Sequence, residues 1–394
     1  MEVVLFTGGR DRPYALGLVK ALLSHGVFLH VVGGNELDNT ELHASSGLKF
    51  LNICTDSQPS ASYLWRAWRQ LVYYARVFAY AAVAEPKIFH ILWHGKFECF
   101  DRTLLALYYK LLGKKIVFTA HNVNAGKRDG NDSLLNRMTL GIQYRLTDHI
   151  FVHTQQMKDE LLQDFRVREE AVTVIPFGIN NVAPCTDLTV ADAKNQLGLG
   201  HDARTILFFG NIGPYKGLHH LVAAFQSLSA QNEEYRLIIA GKHRTGAEQY
   251  VNEICEATNR DVKMGRIIRR IEHIPDDETE LYFKAADVLI LPYTFVSQSG
   301  VLFLGYSFGL PVIATDVGSL RDDIVEGETG LLCQPSDPAD LANTIEAYFE
   351  SELFKNLGGR RQQIREYARE RHSWEVVGEM TRNVYARLLG SQQS

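Results

Sequence analysis

The sequence predicts an α/β fold of two domains, each a parallel sheet with helices on both faces, and three observations carry that prediction. Short apolar, β-branched runs alternate with longer amphipathic stretches from end to end. The alternation lapses across 177–198, around Gly-Ile-Asn-Asn-Val-Ala-Pro-Cys-Thr-Asp, as a linker does, and then restarts. A chain of 394 residues is also too long for one ordinary domain. The expected layout is a first domain over 1–180, a second over 181–373, and a C-terminal helix over 374–394 that crosses back to the first domain or stays on the second.

In the first half, the apolar runs 3–6, 27–32, 88–93, 115–120, 149–153 and 172–175 read as strands. Their nearly continuous hydrophobicity is that of strands covered on both faces. Helices are expected over 13–25, after a Gly-Gly turn, and over 63–84. The second half repeats the scheme, with strands over 205–209, 236–240, 288–292 and 312–315 and a helix over 217–230. Two Rossmann-like domains follow. In the tail, Trp374, Val377, Met380, Val384 and Leu388 fall on one helical face.

Composition narrows the function classes. Hydrophobic content of 46% and charged content of 22% describe a soluble globular protein. A net charge of -5 argues against bulk nucleic-acid binding, which leaves a basic footprint. Five cysteines (Cys54, Cys99, Cys185, Cys255, Cys333) form no CxxC pair, which suits a reducing compartment and no structural zinc. The N-terminus lacks a basic leader, and no apolar run reaches the roughly 18 residues that span a bilayer. The expectation is a cytoplasmic protein, able to touch the inner face of the membrane.

Two loops carry chemistry. In Phe208-Phe-Gly-Asn-Ile-Gly-Pro-Tyr-Lys-Gly-Leu a strand ends at Gly210, the chain turns through Gly213 and Pro214, and a helix opens at Gly217. Free N–H groups and the positive helix end favour an anion there, and Lys216 adds a full charge, unless it is a solvated lysine in a tight turn. In Leu291-Pro-Tyr-Thr-Phe-Val-Ser-Gln-Ser-Gly-Val a strand ends near Pro292 and an apolar helix opens at Ser299 and Gly300. Ser299 is a good N-cap, and Gly300 lets a ligand approach the backbone, so the turn 297–300 is a candidate phosphate grip at the C-terminal edge of a parallel sheet. A capped core helix is the plainer alternative.

The first half offers a weaker pattern. Thr7-Gly-Gly-Arg-Asp-Arg-Pro follows the first strand but lacks the full dinucleotide fingerprint, so no dinucleotide cofactor is expected. Thr119-Ala-His-Asn leaves a strand end and places His121, Asn122, Lys127 and Arg128 at the same sheet edge. The pairs His90/His94 and His149/His153 lie on strands, where that spacing does not converge two imidazoles, so no metal is expected. The helix over 63–84 mixes arginines with aromatics and reads either as an interfacial helix on a bilayer carrying a lipid-linked acceptor or as a sheet-covering helix with snorkelling arginines.

Taken in order, Gly210-Asn-Ile-Gly-Pro-Tyr-Lys-Gly, Ile239-Ala-Gly, Ala286-Asp-Val-Leu-Ile-Leu-Pro-Tyr, Gly309-Leu-Pro-Val-Ile-Ala-Thr-Asp-Val-Gly and Gly327-Glu-Thr-Gly-Leu-Leu resemble the family-4-type retaining glycosyltransferases. That family has the GT-B fold, two Rossmann-like domains with parallel sheets facing across a cleft. The resemblance implies transfer of a sugar from a nucleotide diphosphate-sugar, bound mainly by the second domain, to a sugar or lipid-linked glycan acceptor bound mainly by the first. It implies a metal-independent hexosyl transfer in bacterial polysaccharide or glycoconjugate synthesis, with no cofactor. Lys216 would hold the diphosphate, Gly8 and Gly9 would approach it, and His121 would line the reacting sugar. Arg12 and Asn122 would lie on the acceptor side, and 276–278 near the nucleobase loop.

Two departures from the family pattern stand out. Asn211 takes the place of an arginine, and Val296 and Leu304 take the places of the Glu-x7-Glu pair. The chain so resembles a subgroup with Gln-Ser-Gly-Val at this position, where Gln298 and the N–H groups of Ser299, Gly300 and Val301 would replace charge with neutral hydrogen bonds. The departures also motivate two alternatives, a catalytically weak GT-B partner subunit and a nucleotide-sugar epimerase of similar fold.

Overall fold

The computed structural model describes residues 1–9, 11–35, 37–38, 45–54, 63–130, 132–179 and 186–390. Residues 180–185 of the expected linker, with Cys185 and the expected boundary at 180/181, lie outside the described residues, as do 391–394 and the side chain of Arg128. The chain forms two compact units, residues 1–178 with 372–394 and residues 179–371.

The first unit is built on a seven-stranded parallel sheet in the order β3-β2-β1-β4-β5-β6-β7. Its strands are β1 (Glu2–Phe6), β2 (Phe28–Gly34), β3 (Leu48–Cys54), β4 (Ile88–Ile91), β5 (Lys115–Thr119), β6 (His149–Val152) and β7 (Val172–Val174). Every pairing is parallel, as between Val3–Phe6 residues and 88–91. Its principal helices are α1 (Arg12–Ser24), α2 (Tyr63–Val83), α3 (Ala106–Leu111), which continues a π-helical turn over Asp101–Leu105, and α4 (Leu134–Leu146). Asp11 starts α1 by accepting the Tyr14 N–H at 3.2 Å, and proline at the second helical position needs no hydrogen bond there. One face of α2 is core, through Tyr74, Val77 and Ala81.

The C-terminal helix, Trp374–Leu388, packs on α1 in this unit. Its anchor is Trp374, whose indole fills a notch left by two glycines. A Cβ on Gly17 or Gly178 would fall 2.1 and 2.3 Å from ring atoms. Farther along, Tyr385 is fully buried and its hydroxyl meets His90 Nδ1 at 2.5 Å. His90 Nε2 meets Thr119 Oγ1, while His149 turns to Thr173, so the strand histidines serve separate hydrogen bonds rather than one another.

The second unit holds a six-stranded parallel sheet ordered β10-β9-β8-β11-β12-β13. The strands are β8 (Arg204–Phe209), β9 (Tyr235–Ala240), β10 (Ile267–Arg270), β11 (Val288–Leu291), β12 (Val312–Thr315) and β13 (Gly330–Cys333). The helices that matter for the site are α5 (Leu218–Gln231), α6 (Asp276–Ala285), α7 (Gly300–Ser307) and α8 (Leu357–Arg371), which packs on α7. Tyr282, Phe283, Tyr306 and Tyr348 are fully buried around the sheet. The two-sheet α/β expectation holds, and three strands, β3, β10 and β13, were not anticipated.

Candidate functional site

In the second unit, the two loops singled out above meet. After β8 the backbone turns at Gly210, forms a single 3-10 turn over Pro214–Lys216, and enters α5 at Leu218, one residue later than expected. Gly217 sits at φ 63°, and a Cβ there would lie 1.8 Å from the Pro292 carbonyl oxygen. No other residue fits, because the loop after β8 is pressed directly onto the end of β11. The Thr294 N–H donates to the Tyr215 carbonyl at 2.9 Å and fixes the second loop against the first. Thr315, on β12, donates to the Tyr293 carbonyl at 2.6 Å from the other side.

Lys216 is buried rather than solvated, at 8% exposure. Its Nζ donates to the Tyr293 hydroxyl at 2.6 Å and lies 3.8 Å from the centre of that ring. The Tyr293 hydroxyl lies 3.3 Å from Ser299 Oγ. A lysine ammonium has only donors, so the phenol accepts from it and can hand its own proton on to Ser299. Burial pushes the Tyr293 phenol well above the usual tyrosine range, and it stays protonated. The hydrogen-bond chain Lys216–Tyr293–Ser299 so ties a buried cation to the N-terminus of α7. It also changes the expected role of Ser299, which occupies the N-cap position but makes no side-chain cap.

The first N–H groups of α7 have no partner within the helix, as at any helix start. Beside them Gln298 is half-buried, and its Oε1 has no hydrogen-bond partner among the described residues. Gly300 is exposed and Val301 packs toward Gly210, 3.1 Å from where a Cβ of that glycine would lie. Asn211 is exposed on the loop after β8. Asp276 and Glu278 fall in the first turn of α6, where Glu278 reaches Arg270 at 3.6 Å.

Two contributors to this arrangement carry no role in the sequence reading. Tyr293 is quoted there only as part of a strand end, although a tyrosine between two candidate loops is a natural bridge. Arg244 follows Gly241 at the end of β9, and its guanidinium lies 5.3 Å from the centre of the Tyr215 ring, with its Cδ at 3.4 Å from a notional Cβ on Gly213. It brings a second cation to the loop that has Asn211 where an arginine was expected. A basic residue just past a strand's C-terminal end was the available signal.

In the first unit a different cluster forms where β1, β4 and β5 end. His121 stacks flat on Trp93, with ring centres 4.2 Å apart and planes 2° from parallel, and meets the edge of Tyr14 at 4.6 Å. Gly8 lies against Trp93, whose Cβ and carbonyl oxygen leave no room for a side chain, while Gly9 is exposed. Arg12 opens α1 and Asn122 follows His121, both half-buried.

The hydrogen bonds fix the protons of this cluster. Burial holds His153 down to about 4 and His121 well below the ordinary imidazole range, so both are neutral at pH 7. His153 Nδ1 lies 3.3 Å from the Ile175 carbonyl, which can only accept, so Nδ1 carries the proton. His153 Nε2 is then an acceptor and takes the Nδ1–H of His121 at 3.2 Å. That leaves His121 Nε2 as a lone pair with no partner among the described residues. It is set to accept a hydroxyl, not to give a proton.

Comparison with known proteins gives the family. The family described as Glycosyltransferase Family 4 matches residues 13–181, and Glycosyl transferases group 1 matches residues 190–371. Among curated proteins, the D-inositol 3-phosphate glycosyltransferase of Corynebacterium efficiens is 27% identical over 284 residues, 69% of this chain and 65% of the relative. That of Nocardioides sp. is 28% identical over 229 residues, 54% of this chain and 49% of the relative. The chain thus spans less than two thirds of the length of these curated relatives. Among solved structures, sucrose-phosphate synthase from Thermosynechococcus elongatus superposes with a TM-score of 0.78 at 20% identity over the whole of both chains. Anabaena Alr3699/HepE in complex with UDP and glucose superposes at 0.74 with 17% identity, over 98% of this chain and all of the other. The two family matches together take in most of the chain, one in each half, and the chain belongs to the family-4-type, group 1 glycosyltransferases of GT-B fold.

Proposed function

We propose that this chain transfers a sugar, with retention, from a nucleotide diphosphate-sugar to a sugar or lipid-linked glycan acceptor in polysaccharide or glycoconjugate synthesis. The observation that carries the reading is the chain Lys216–Tyr293–Ser299, which holds a buried ammonium at the start of α7. A buried positive charge beside free helix-end N–H groups suits a ligand with concentrated negative charge, as a diphosphate has. Family membership and the UDP complex of a protein of the same fold favour the same ligand class.

In the reaction the anomeric carbon–phosphate oxygen bond breaks as the bond from the acceptor oxygen forms. The acceptor proton passes to the departing diphosphate. Lys216 and the α7 N–H groups stabilise the charge that builds on the leaving group, which is where fixed charges accelerate a reaction. Arg244 supplies the second cation in place of Asn211. Gln298 Oε1 and His121 Nε2 are both unpartnered acceptors and would take sugar hydroxyls, since a neutral acceptor discriminates hydroxyl positions without holding the product too tightly.

A thermal-shift panel of UDP-, GDP- and ADP-sugars tests the reading. A donor at 100 times its dissociation constant adds about 2.7 kcal/mol of stability. No stabilisation by any donor at millimolar concentration would refute it and leave a non-catalytic partner subunit as the alternative.

A further inference from the structure

Three neighbouring helices of the first unit leave large apolar side chains in solvent. On α2, Leu64, Trp68 and Leu71 share a face at 85, 64 and 65% exposure, with Trp65 beside them. On the helix over 101–111, Leu104, Leu107 and Leu111 form a second stripe, and on α4 Leu134, Met138 and Ile142 form a third. The helices are in contact. The Tyr108 hydroxyl donates to the Phe78 carbonyl at 3.1 Å, and Arg102 Nη1 donates to Asn136 Oδ1 at 3.0 Å. By contrast the second unit exposes only Val190, Met264 and Phe295 among its described large apolar residues, each on a different element.

Charge on the same helices is one-sided. Neither α2 nor α4 contains a carboxylate, while α2 carries Arg69 and Arg76 and α4 carries Arg145 and Arg137, the latter paired with Asp132 just before the helix. On the helix between them Asp101 is buried, and Arg102 and Lys110 pair with Glu98 and Asp148. This segregation occurs in a chain whose net charge is -5. An open groove of about 670 Å³ at the edge of α4 joins both features, lined by Arg137, Arg145, Arg166, Met138 and Ile142, with Asp164 paired to Lys127.

We infer that this face docks on an anionic lipid bilayer. Aliphatic and tryptophan side chains beside arginines suit the headgroup boundary, where rings and methylenes enter the apolar layer and guanidinium groups stay with phosphates. Each basic residue near an anionic surface adds attraction, and α2 and α4 themselves carry no carboxylate to oppose it. A second copy of the chain is a poorer occupant, because a symmetric contact would press one basic face on another. The inference extends the lipid-linked acceptor in the proposed function, but it needs neither donor nor acceptor to be tested.

The experiment is co-sedimentation of the full chain, without substrates, with vesicles of phosphatidylcholine alone and of phosphatidylcholine with phosphatidylglycerol. Binding is expected to be roughly tenfold or more tighter to the anionic vesicles and to weaken with salt. Met138→Glu with Ile142→Glu is expected to lower binding at least about tenfold while thermal unfolding stays unchanged, since both side chains are exposed. If that variant unfolds, Trp65→Ala with Trp68→Ala, on a different helix, is expected to weaken binding in the same direction. No binding to either vesicle, equal binding to both, or unaffected binding by the folded variants would overturn the inference. So would a dimer in sedimentation that these same substitutions dissociate, which would give the face to a second copy.

Discussion

The two units use the same kind of parallel sheet and treat charge in opposite ways at its C-terminal edge. In the second unit a lysine is buried between two loops, held by a phenol and a ring. In the first, the buried ionisable groups at the edge are imidazoles, pushed neutral by burial and locked to one tautomer by each other and by the Ile175 carbonyl. The first arrangement suits an anion and the second suits neutral hydroxyls. Outside the sites the contrast repeats, with a polar surface on the second unit and an apolar, basic one on the first. Under the proposed function, one architecture would serve a charged donor and an uncharged acceptor by changing which residues are buried, not how the strands run.

Removing the buried charge is expected to have the largest effect. Lys216→Ala should lower turnover by about 100- to 1000-fold, the usual loss for a group aimed at transition-state charge. It should weaken binding of donor and of bare nucleotide diphosphate together, measured by steady-state kinetics and calorimetry. Unchanged binding would move the site away from this loop.

Acidification should separate the two units next. His90 is held down to about 3, His149 and His153 to about 4, and His121 also well below its ordinary value, all chiefly by burial. The unfolded chain binds these protons first, from about pH 6.5 downward, so the histidines' stabilisation is complete above that pH and is lost as pH falls toward 4. Asp101, pushed up to about 6 by burial, acts in the opposite sense, but one carboxyl does not offset four imidazoles. In the second unit the burial of Asp323 pushes it up to about 7, so its contribution is present at low pH and lost as pH rises through 7. Hydrogen exchange at pH 5 should therefore show lost protection in β4, β5 and β6 before β8, β11 and β12. Uniform loss would contradict the contrast.

Tyr293→Phe removes the bridge while keeping the ring over Lys216. The donor's binding should weaken about tenfold, the scale of one buried hydrogen bond to a charged group, with little change in secondary structure. Gln298→Ala should have the smallest effect, a few-fold loss for the sugar-bearing donor and less for the bare nucleotide. Equal losses would confine Gln298 to the phosphate or to structure.

What was legible in the sequence follows the physics of burial. The central strands β1, β4, β5, β8, β9, β11 and β12 stand out as apolar runs because both their faces are covered. The unanticipated strands, β3, β10 and β13, are all sheet edges. Their sequences, Leu-Lys-Phe-Leu-Asn-Ile-Cys, Ile-Ile-Arg-Arg and Gly-Leu-Leu-Cys, are short or broken by polar residues because solvent reaches one side. The helix over 63–84 has a core face through Val77 and Ala81, as its sheet-covering reading expects, and an exposed apolar face through Leu64 and Trp68.

By itself the sequence determined the α/β class, the two sheets and the loops that carry the candidate chemistry, because these depend on periodicity and on glycine, proline and lysine at fixed offsets. Tertiary structure decided which groups meet. Tyr293 lies 77 residues from Lys216, and His153 lies 32 from His121, and no local spacing announces either pair. It also decided protonation, since His121 and His153 carry ordinary imidazoles whose state depends on how much water the fold leaves around them.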